Sequence, residues 1–473
     1  MPVSTAHPDY ESSLSKWELV RDCVSGAKAV KTKTTVYLPD PGNRDEIHYI
    51  SDPSDRNRWH SRLTKRYYDY IFRAQFVNVA AKTRNAMVGM AFRNPAQVEL
   101  PSGLEYLELN ATGEGRSLEQ LGKDTVGDLL EVGRFGLLSD YPTAEEGLTQ
   151  AQVNAMNLQA NIKTYPAENI INWKTDTVGG EEILSLVVLT EKYNIAEDEY
   201  SHDSETQYRV LKLTEGAYTV EIWRDDEIYA VYQPRNGSGQ LIDRIPFVMV
   251  GTYNNNPAVD DAALYDIAEV NIGHYRNTAD YEEGIFLHGQ PMLHLDLGDT
   301  NTNTFQDLNP NGVEVGSRRG LITSGGGSAQ LLQPQANSAA VEAMEQKLAY
   351  MLALGASLIQ PSGQAETAEA ARIKHAGDNS VLTNIVQNAS EAIKQAIEWC
   401  AEFMNVQGDI VYQINEDFYD KSLTAQDVMA DIQLYDRGVI GKTDMRLSLR
   451  KSGRLERSDD DIDAEVGDVS PIG

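Results

Sequence analysis

The string Gly438-Val439-Ile440-Gly441-Lys442-Thr443 ends in the glycine–lysine–threonine triplet with which a phosphate loop holds a nucleotide. That chemistry needs another glycine five positions before Gly441, so that successive amides cradle the phosphates, and a buried strand leading in. Asp436 stands there instead and no apolar strand precedes it, so Gly438 reads as a helix stop. Gly113-Glu114-Gly115 lacks the third glycine of a dinucleotide site and lies outside any strand–helix–strand unit. The eight histidines never pair at i,i+4, and neither cysteine, Cys23 or Cys400, has a metal partner nearby in the chain. No Gly-x-Ser-x-Gly elbow occurs. Carboxylate neighbours such as Asp260/Asp261 and Asp459–Asp461 are what 71 acidic residues produce in any case. His274 and His288 read as polar-face or interface positions on one helix. The residues therefore give no catalytic set, no cofactor site and no metal site. An acidic cytoplasmic enzyme with an unrecognised active site stays open as an alternative.

What remains is architecture and charge. Forty-one basic residues against 71 acidic ones leave a formal charge of −30 over 473 residues. Affinity for nucleic-acid phosphates comes from Lys and Arg, so this is not a chain built to grip a duplex. The excess fits either simple solubility or a surface past which DNA must slide. No apolar run is long enough to span a bilayer, and the first residues show no basic stretch followed by an apolar core, so no membrane partner is expected. Two far-separated cysteines make no disulfide framework.

The apolar periodicity predicts an α+β chain. Leu14, Trp17, Val20 and Val24 repeat at helical spacing up to Gly26. Arg56 to Phe92 reads as one helix, with Trp59, Leu63, Tyr67, Tyr70, Ile71, Phe76, Val79 and Met87 on one face and Arg58, Arg62, Lys65, Arg66, Arg73, Lys82 and Arg84 on the other. Leu118 to Val132 is a further amphipathic helix, delivering a buried strand within Gly133–Pro142. A helix rich in Ala, Asn and Gln is expected before Tyr165–Trp173. Leu184–Leu189, Tyr208–Leu213, Tyr218–Trp223, Glu227–Tyr232 and Ile245–Val250 then predict one antiparallel sheet of about five strands. Asp260 to Leu287 reads as a long helix with Leu264, Ile267, Ala268, Tyr275 and Ile285 near one face and an acidic polar surface. Met292–Leu297 and Gly312–Val315 are short strands. Ser338 to Leu358 is a second helix, carrying Val341, Met344, Leu348, Met351 and Leu352. The Pro/Gly break Gln360-Pro361-Ser362-Gly363-Gln364 separates it from a third and longer helix, Glu366 to Val406, which has room to kink at Gly377. Leu423–Tyr435 and Thr443–Leu449 read as a small helical hairpin, with an acidic tail from Ser458.

This order of parts resembles the portal proteins of tailed double-stranded DNA bacteriophages, over about residues 10 to 455. Gly133–Pro142, Tyr165–Trp173, Asn271–Tyr281 and Glu366–Ser380 are similar to strings in a subgroup of those portals. The resemblance implies a portal-like α+β fold. Its parts would be a wing over 1–257, a stem helix over 258–288, a strand-containing clip over 289–337, and a second stem helix over 338–358. A channel loop over 359–365, a kinked wing helix over 366–406, a helical crown over 407–457 and an acidic tail over 458–473 would complete it. The implied function is a structural ring, a dodecamer by the family's pattern, at one vertex of the virion capsid. Double-stranded DNA would pass through it during packaging and ejection. Its implied partners are further copies of itself, the terminase large subunit as separate ATPase, the major capsid protein and tail adaptor proteins.

Carried onto this chain, the channel loop is Gln360, Pro361, Ser362, Gly363 and Gln364, which contains no Lys or Arg. Its amides and hydroxyl could touch moving phosphates without trapping them. Stem and oligomer contacts fall on Leu264, Ile267, Tyr275, Leu348 and Met351. Arg318 and Arg319 are the only paired basic residues in the clip and the candidates for motor contact. Twelve copies would carry roughly −360 charges, repelling a duplex from the channel wall within about 8 Å at physiological salt. Another virion connector component, such as a tail adaptor, is the remaining alternative.

Overall fold

The computed structural model describes residues 2–41, 67–141, 159–196, 198, 200–289, 292–298, 303, 306–307, 327–332, 338–358, 380–416, 418, 435, 441 and 445–446. The chain divides into two compact units, Met1–Ile414 and Asn415–Gly473. In the second unit Tyr435, Met445 and Arg446 are helical, and the Met445 amide bonds the Gly441 carbonyl. Everything below concerns the first.

Its elements run in this order. Helices α1 (Pro8–Ser25), α2 (Ala27–Thr32) and α3 (Val79–Ala91) precede strand β1 (Gln97–Glu99), the short α4 (Tyr106–Leu109) and α5 (Leu118–Val132). Strands β2 (Arg134–Asp140), β3 (Asn161–Pro166), β4 (Ile170–Val178), β5 (Glu181–Asn194), β6 (Ser204–Thr214), β7 (Ala217–Arg224), β8 (Glu227–Tyr232) and β9 (Phe247–Gly251) follow. Then come α6 (Tyr265–His288), β10 (Met292–Asp296), β11 (Ser328–Leu332), α7 (Ser338–Ser357), α8 (Val381–Met404) and β12 (Val411–Gln413).

The strands form an antiparallel five-stranded sheet, β4-β5-β6-β7-β8, and a three-stranded sheet, β3-β2-β9. The expected five-stranded sheet is present with one exchange. Ile245–Val250 does not extend it; Phe247–Gly251 pairs with β2, while Ile170–Val178 supplies the missing edge. Periodicity finds strands and not partners, because pairing is set by contacts between segments far apart in the chain. The three-stranded sheet is the centre of the core. It is buried along Arg134–Ser139, and α8 packs on it, with the Ser139 hydroxyl donating to the Ala396 carbonyl at 2.8 Å.

α5 ends where predicted because Gly133 is left-handed, φ 72°. A Cβ there would also stand 2.7 Å from the Asp260 carbonyl oxygen, so the glycine both caps the helix and admits the strand that leads toward α6. Arg134 follows at once. Its Nη1 donates to the carbonyls of Pro257 and Ala258, at 2.9 and 3.2 Å, and its guanidinium lies 4.1 Å from the Trp173 ring centroid.

Two helix expectations change. Arg56–Phe92 is not continuous: residues 67–73 are helical, 74–78 are not, and α3 starts afresh at Val79. The Asn78 side chain caps the new start by accepting from the Ala81 amide. Buried Asn271 of α6 clasps the break: its Oδ1 accepts from the Val79 and Ala80 amides at 3.2 and 3.4 Å, and its Nδ2 donates to the Val77 carbonyl at 2.9 Å. Two turns along, the Thr278 hydroxyl donates to the Gln75 carbonyl at 2.7 Å. Residues 56–66 lie outside the described residues. The helix expected over Glu366–Val406 also cannot run through Ser380. That residue is extended, ψ 159°, and its hydroxyl accepts from the Thr383 amide, so α8 begins at Val381. The predicted apolar stripe of α8 is buried at Ile385, Ala389, Ile393, Ile397 and Cys400. The helix expected before Tyr165 is not helical where it is described: 159–160 are irregular and Asn161–Pro166 is β3. Its earlier part, the Gly377 kink, the strand Gly312–Val315 and most of the crown and tail fall outside the described residues.

Replacing Asn271 by Ala leaves the buried Ala80 amide without its partner and takes one of two bonds from the Val79 amide and the part-buried Val77 carbonyl, which keep their own 2.9 Å bond. We expect a loss of about 2–4 kcal/mol, read from the urea midpoint, with assembly chemistry untouched. An unchanged midpoint would mean that the break forms without the clasp.

Candidate functional site

α6 and α7 pack on one another, and between them in sequence stand β10 and β11, an antiparallel pair in register from Met292↔Leu332 to Asp296↔Ser328. α6 starts at Tyr265 and not at Asp260, and a helix, a strand pair and a second helix follow one another from there to Ser357. The strand partner of Met292–Asp296 is Ser328–Leu332.

α6 is core at one end and surface at the other. Leu264, Ile267, Ala268, Ile272, Tyr275 and Ala279 are buried by the chain itself, against α1, α3 and the 74–78 break. The Cys23 thiol lies 3.7 Å from the Ala268 carbonyl, and Phe76 meets Tyr275 edge to face at 6.0 Å. Further along, Tyr70 donates to Asp280 at 2.6 Å, and Arg73 pairs with Glu283 while covering the Phe286 ring at 4.3 Å. The acidic face of α6 is thus partly neutralised from 70–75. Past it, Ile285, Phe286 and Leu287 are left open.

α7 buries Met351 and brings Gly355 onto α3, where a Cβ would stand 3.2 Å from Thr83 Cγ2. Leu348, Tyr350 and Leu352 stay open, from 38% exposed at Leu348 to 60% at Leu352. Of the five residues expected at a stem interface, Leu264, Ile267, Tyr275 and Met351 are therefore internal, and Leu348 alone is offered outward. Helical periodicity cannot separate a face buried by the same chain from one buried by another. Where α7 ends, the Leu382 amide bonds the Leu358 carbonyl at 3.3 Å, so the chain on either side of 359–379 is adjacent. Gln360, Pro361, Ser362, Gly363 and Gln364, and Arg318 and Arg319, lie outside the described residues.

An open cavity of about 890 Å³ lies between α1, residues 36–37, α6 and α7. Leu19, Val36, Tyr37, Ile272 and the rings of Tyr265 and Tyr350 wall it, and it gathers Lys16, Arg276 and Lys347 against a single carboxylate, Glu269. Lys16 is 3.5 Å from Asp261 and 5.6 Å from the Tyr265 ring centroid. Arg276 donates Nε to the Tyr37 carbonyl at 2.6 Å, and Lys347 donates to the side-chain Oδ1 of Asn277 at 3.4 Å. Neither Arg276 nor Lys347 has a carboxylate partner among the described residues. Sequence reasoning missed this site, although a signal was there. Arg276 and Lys347 are the sole Lys or Arg on their respective helices. His274, expected on a polar face or interface, is buried beside Lys347; burial, then that ammonium, holds its pKa below the usual value.

Two buried ion clusters brace the body behind the helix pair. Arg21 of α1 binds Glu168 through Nε at 2.8 Å, Glu131 through Nη1 at 2.6 Å, and Asp128 through Nη2; Arg84 of α3 takes the other oxygen of Glu131 at 3.0 Å. Gly127 leaves the room, since a Cβ there would overlap the Arg84 guanidinium. Arg209 joins the two sheets, reaching Glu191 at 2.8 Å and Asp140 at 3.2 Å, with Tyr165 donating to Glu191 at 2.6 Å. Burial alone would raise Glu191, but Arg209 and the bonds from Tyr165 and Gln207 hold it below its ordinary value. Each carboxylate and guanidinium here has a structural partner. Among the described residues no group of three or more His, Cys, Asp or Glu side chains is placed to hold a metal. Among them, too, no helix is long and apolar enough to cross a membrane.

Comparison with known proteins gives the following. Residues 263–404, the span from α6 to the end of α8, match a family described as a domain of unknown function, DUF4055. No curated protein matches the chain. Among solved structures, it is similar to a chain in the neck of an empty gene transfer agent particle computed with C6 symmetry. The TM-score is 0.40 at 12% identity, covering 86% of this chain and 94% of that one. A chain in the neck of the native particle, computed with C12 symmetry, gives 0.39 at 13% identity, covering 78% and 89%. A chain of the native gene transfer agent virion gives 0.40 at 12% identity, covering 86% and 94%. At these TM-scores the likeness leaves the functional reading to the chain's own geometry.

The Arg21 cluster sets a pH dependence. Burial raises Asp128 to about 6; Arg21 opposes this, and Glu131 and Glu168 add to it. The folded pKa exceeds the unfolded one, near 3.9. Asp128 therefore takes up a proton more readily in the folded chain. Its contribution to stability is greatest below about pH 4 and is lost as the pH rises through about 6. Thermal melts between pH 7 and 5 should show a stabilising contribution on acidification that Asp128→Asn removes. Parallel pH profiles for the two proteins would show that Asp128 titrates normally.

Proposed function

We propose that this chain is the subunit of a ring-forming portal at the head-to-tail junction of a tailed, double-stranded DNA phage or phage-like particle. The observation that carries the reading is the helix pair. α6 and α7 pack together around an intervening antiparallel strand pair, and both leave apolar side chains in the open: Ile285, Phe286 and Leu287 on one, Leu348, Tyr350 and Leu352 on the other. A chain that buries Trp17, Tyr275 and the α8 stripe so fully has no need of that surface for its own fold. Apolar side chains left open in a row mark a site for another protein. The order of parts along the chain is the one the portal resemblance implies.

In this reading α6 and α7 are the stem, β10 and β11 belong to the clip that meets the terminase, and the sheets and α8 form the wing. Capsid protein and tail adaptors are the remaining partners, and the virion is the location. The ring performs no chemistry of its own and draws packaging energy from the separate motor. Its net charge of −30 per subunit disfavours tight binding of free duplex. The loop from Gln360 to Gln364 is placed at the DNA by the resemblance, and its polar, uncharged side chains suit brief contacts with passing phosphates.

Light scattering on the purified parent should give a mass many times that of one chain, and the same preparation should hydrolyse no ATP. Leu348→Asp changes an exposed residue, so the subunit's melt should move by no more than about 0.5 kcal/mol while the large species disappears. A parent that stays a monomer, or a variant ring indistinguishable from the parent's, removes the stem assignment. For the loop, deletion of Pro361–Gln364 should spare assembly and lower the fraction of particles filled with DNA. Normal filling would take the loop away from the DNA.

A further inference from the structure

Among the described residues nothing occupies the cationic cavity beside α7, and the opposite side of α7 is exposed at Glu342, Glu345, Leu348 and Leu352. On a helix that advances about 100° per residue, Glu345 and Leu352 lie roughly 160° and 140° round from Lys347. With Glu342 and Leu348 they form an outward ridge that carries two carboxylates and two leucines. Neither Glu342 nor Glu345 has a cationic partner among the described residues. One helix therefore bears a basic, aromatic-walled hollow on one side and an acidic, apolar ridge on the other.

We infer that the ridge of α7 in one copy docks into the cavity of the next, with Glu342 and Glu345 meeting Lys347, Arg276 and Lys16, and Leu348 and Leu352 entering between Tyr350, Val36 and Leu19. The inference rests on the ring reading above and names the contact that joins neighbours. Charge supports it first. In a chain of −30, the lining holds three cations and one carboxylate. Although Lys16 is paired with Asp261, Arg276 and Lys347 have no carboxylate partner among the described residues, so the hollow is a local exception that suits an acidic occupant. Geometry supports it second. Lys347 and Glu345 face away from each other, so they cannot pair within one chain. A contact between two different patches is heterologous and repeats from copy to copy, giving a ring where the rotation closes and a filament where it does not. Size supports it third: about 890 Å³ accommodates several side chains and not one ion.

The test uses two charge-reversed forms of the full chain. The groove form carries Arg276→Glu and Lys347→Glu; the ridge form carries Glu342→Lys and Glu345→Lys. Native mass spectrometry should show each alone weakened in assembly on the order of 100-fold, since like charges face across the contact. Mixed in equal amounts, they should assemble again into species larger than a dimer, because each contact now has matched signs. If the parent assembles and both single forms assemble equally well, the docking is wrong and the ring reading stands. Weakening of both forms without rescue on mixing also overturns the docking. A groove that takes a phosphate-bearing ligand instead would show as assembly insensitive to the ridge changes. If the parent does not assemble, it is the ring reading that fails. A second measurement guards against misfolding of the reversed forms. Lys347→Cys with Glu345→Cys, treated with a short bis-maleimide, should give a ladder of linked chains. The two native cysteines are buried, and the new pair points apart within one chain. A single unlinked band overturns the proposal.

Discussion

Asn271 decides where α6 begins to be a surface. A side-chain amide can stand in for a turn of backbone, giving one donor and one acceptor where the main chain has left its ladder. Here it satisfies Val77, Val79 and Ala80 at the break, and the break is what lets the chain cross α6 twice, as 67–73 and as α3. With the near half of α6 clasped in this way, its side chains are spent on the subunit's own core. The far half is held by the 70–75 contacts on one side and by α7 on another, and Ile285, Phe286 and Leu287 stay partly open. The same helix is thus core at one end and open apolar surface at the other, and the crossover lies within a few turns.

Such a helix can be offered outward only if its base does not yield. The Arg21 and Arg209 clusters supply stiffness more than net energy. A buried ion pair gives back little beyond its desolvation, but removing one partner strands the others at a cost of about 3–5 kcal/mol. Arg21 and Arg84 together tie α1, α3 and α5 to the turn at Glu168. Arg209 and Asp140 tie the five-stranded sheet to the three-stranded one. These joints fix orientation, because a guanidinium satisfied by two or three carboxylates permits few rearrangements.

How much of this was legible in the sequence follows from the range of each interaction. Local signals were read well. α1, α5, α7 and the apolar stripe of α8 came from side-chain spacing, and Gly133 marked its helix end. Strand positions came through, but pairing did not: Ile245–Val250 and Ile170–Val178 differ in partner, and pairing depends on the whole sheet. The break at 74–78 was invisible because an aromatic-rich stretch keeps helical spacing on both sides of it, and the residue that holds it open is some 190 positions away. The stem residues were half legible. Leu264, Ile267, Tyr275 and Met351 were found as apolar, yet their burial is by this chain's own α1, α3 and α6. The cavity cations were within reach. A lone Arg on α6 and a lone Lys on α7, each on a helix of acids and apolar residues, stand out, but nothing local says that they meet.

That meeting answers a problem which the net charge creates. Copies that each carry −30 repel one another on approach, and screening over about 8 Å softens this only beyond the first contact layer. Association therefore requires that the contact itself be locally complementary. Symmetric pairing of the Glu342/Glu345 ridge with its own copy would stack four carboxylates together; symmetric pairing of the hollow would bring together six cations and only two lining carboxylates. Either costs several kcal/mol. Joining unlike faces avoids both penalties, and unlike faces on opposite sides of one helix repeat in a fixed direction. In the proposed docking, charge thus disfavours two-fold pairs of either face and favours a head-to-tail series, which forms a ring where the rotation between copies closes.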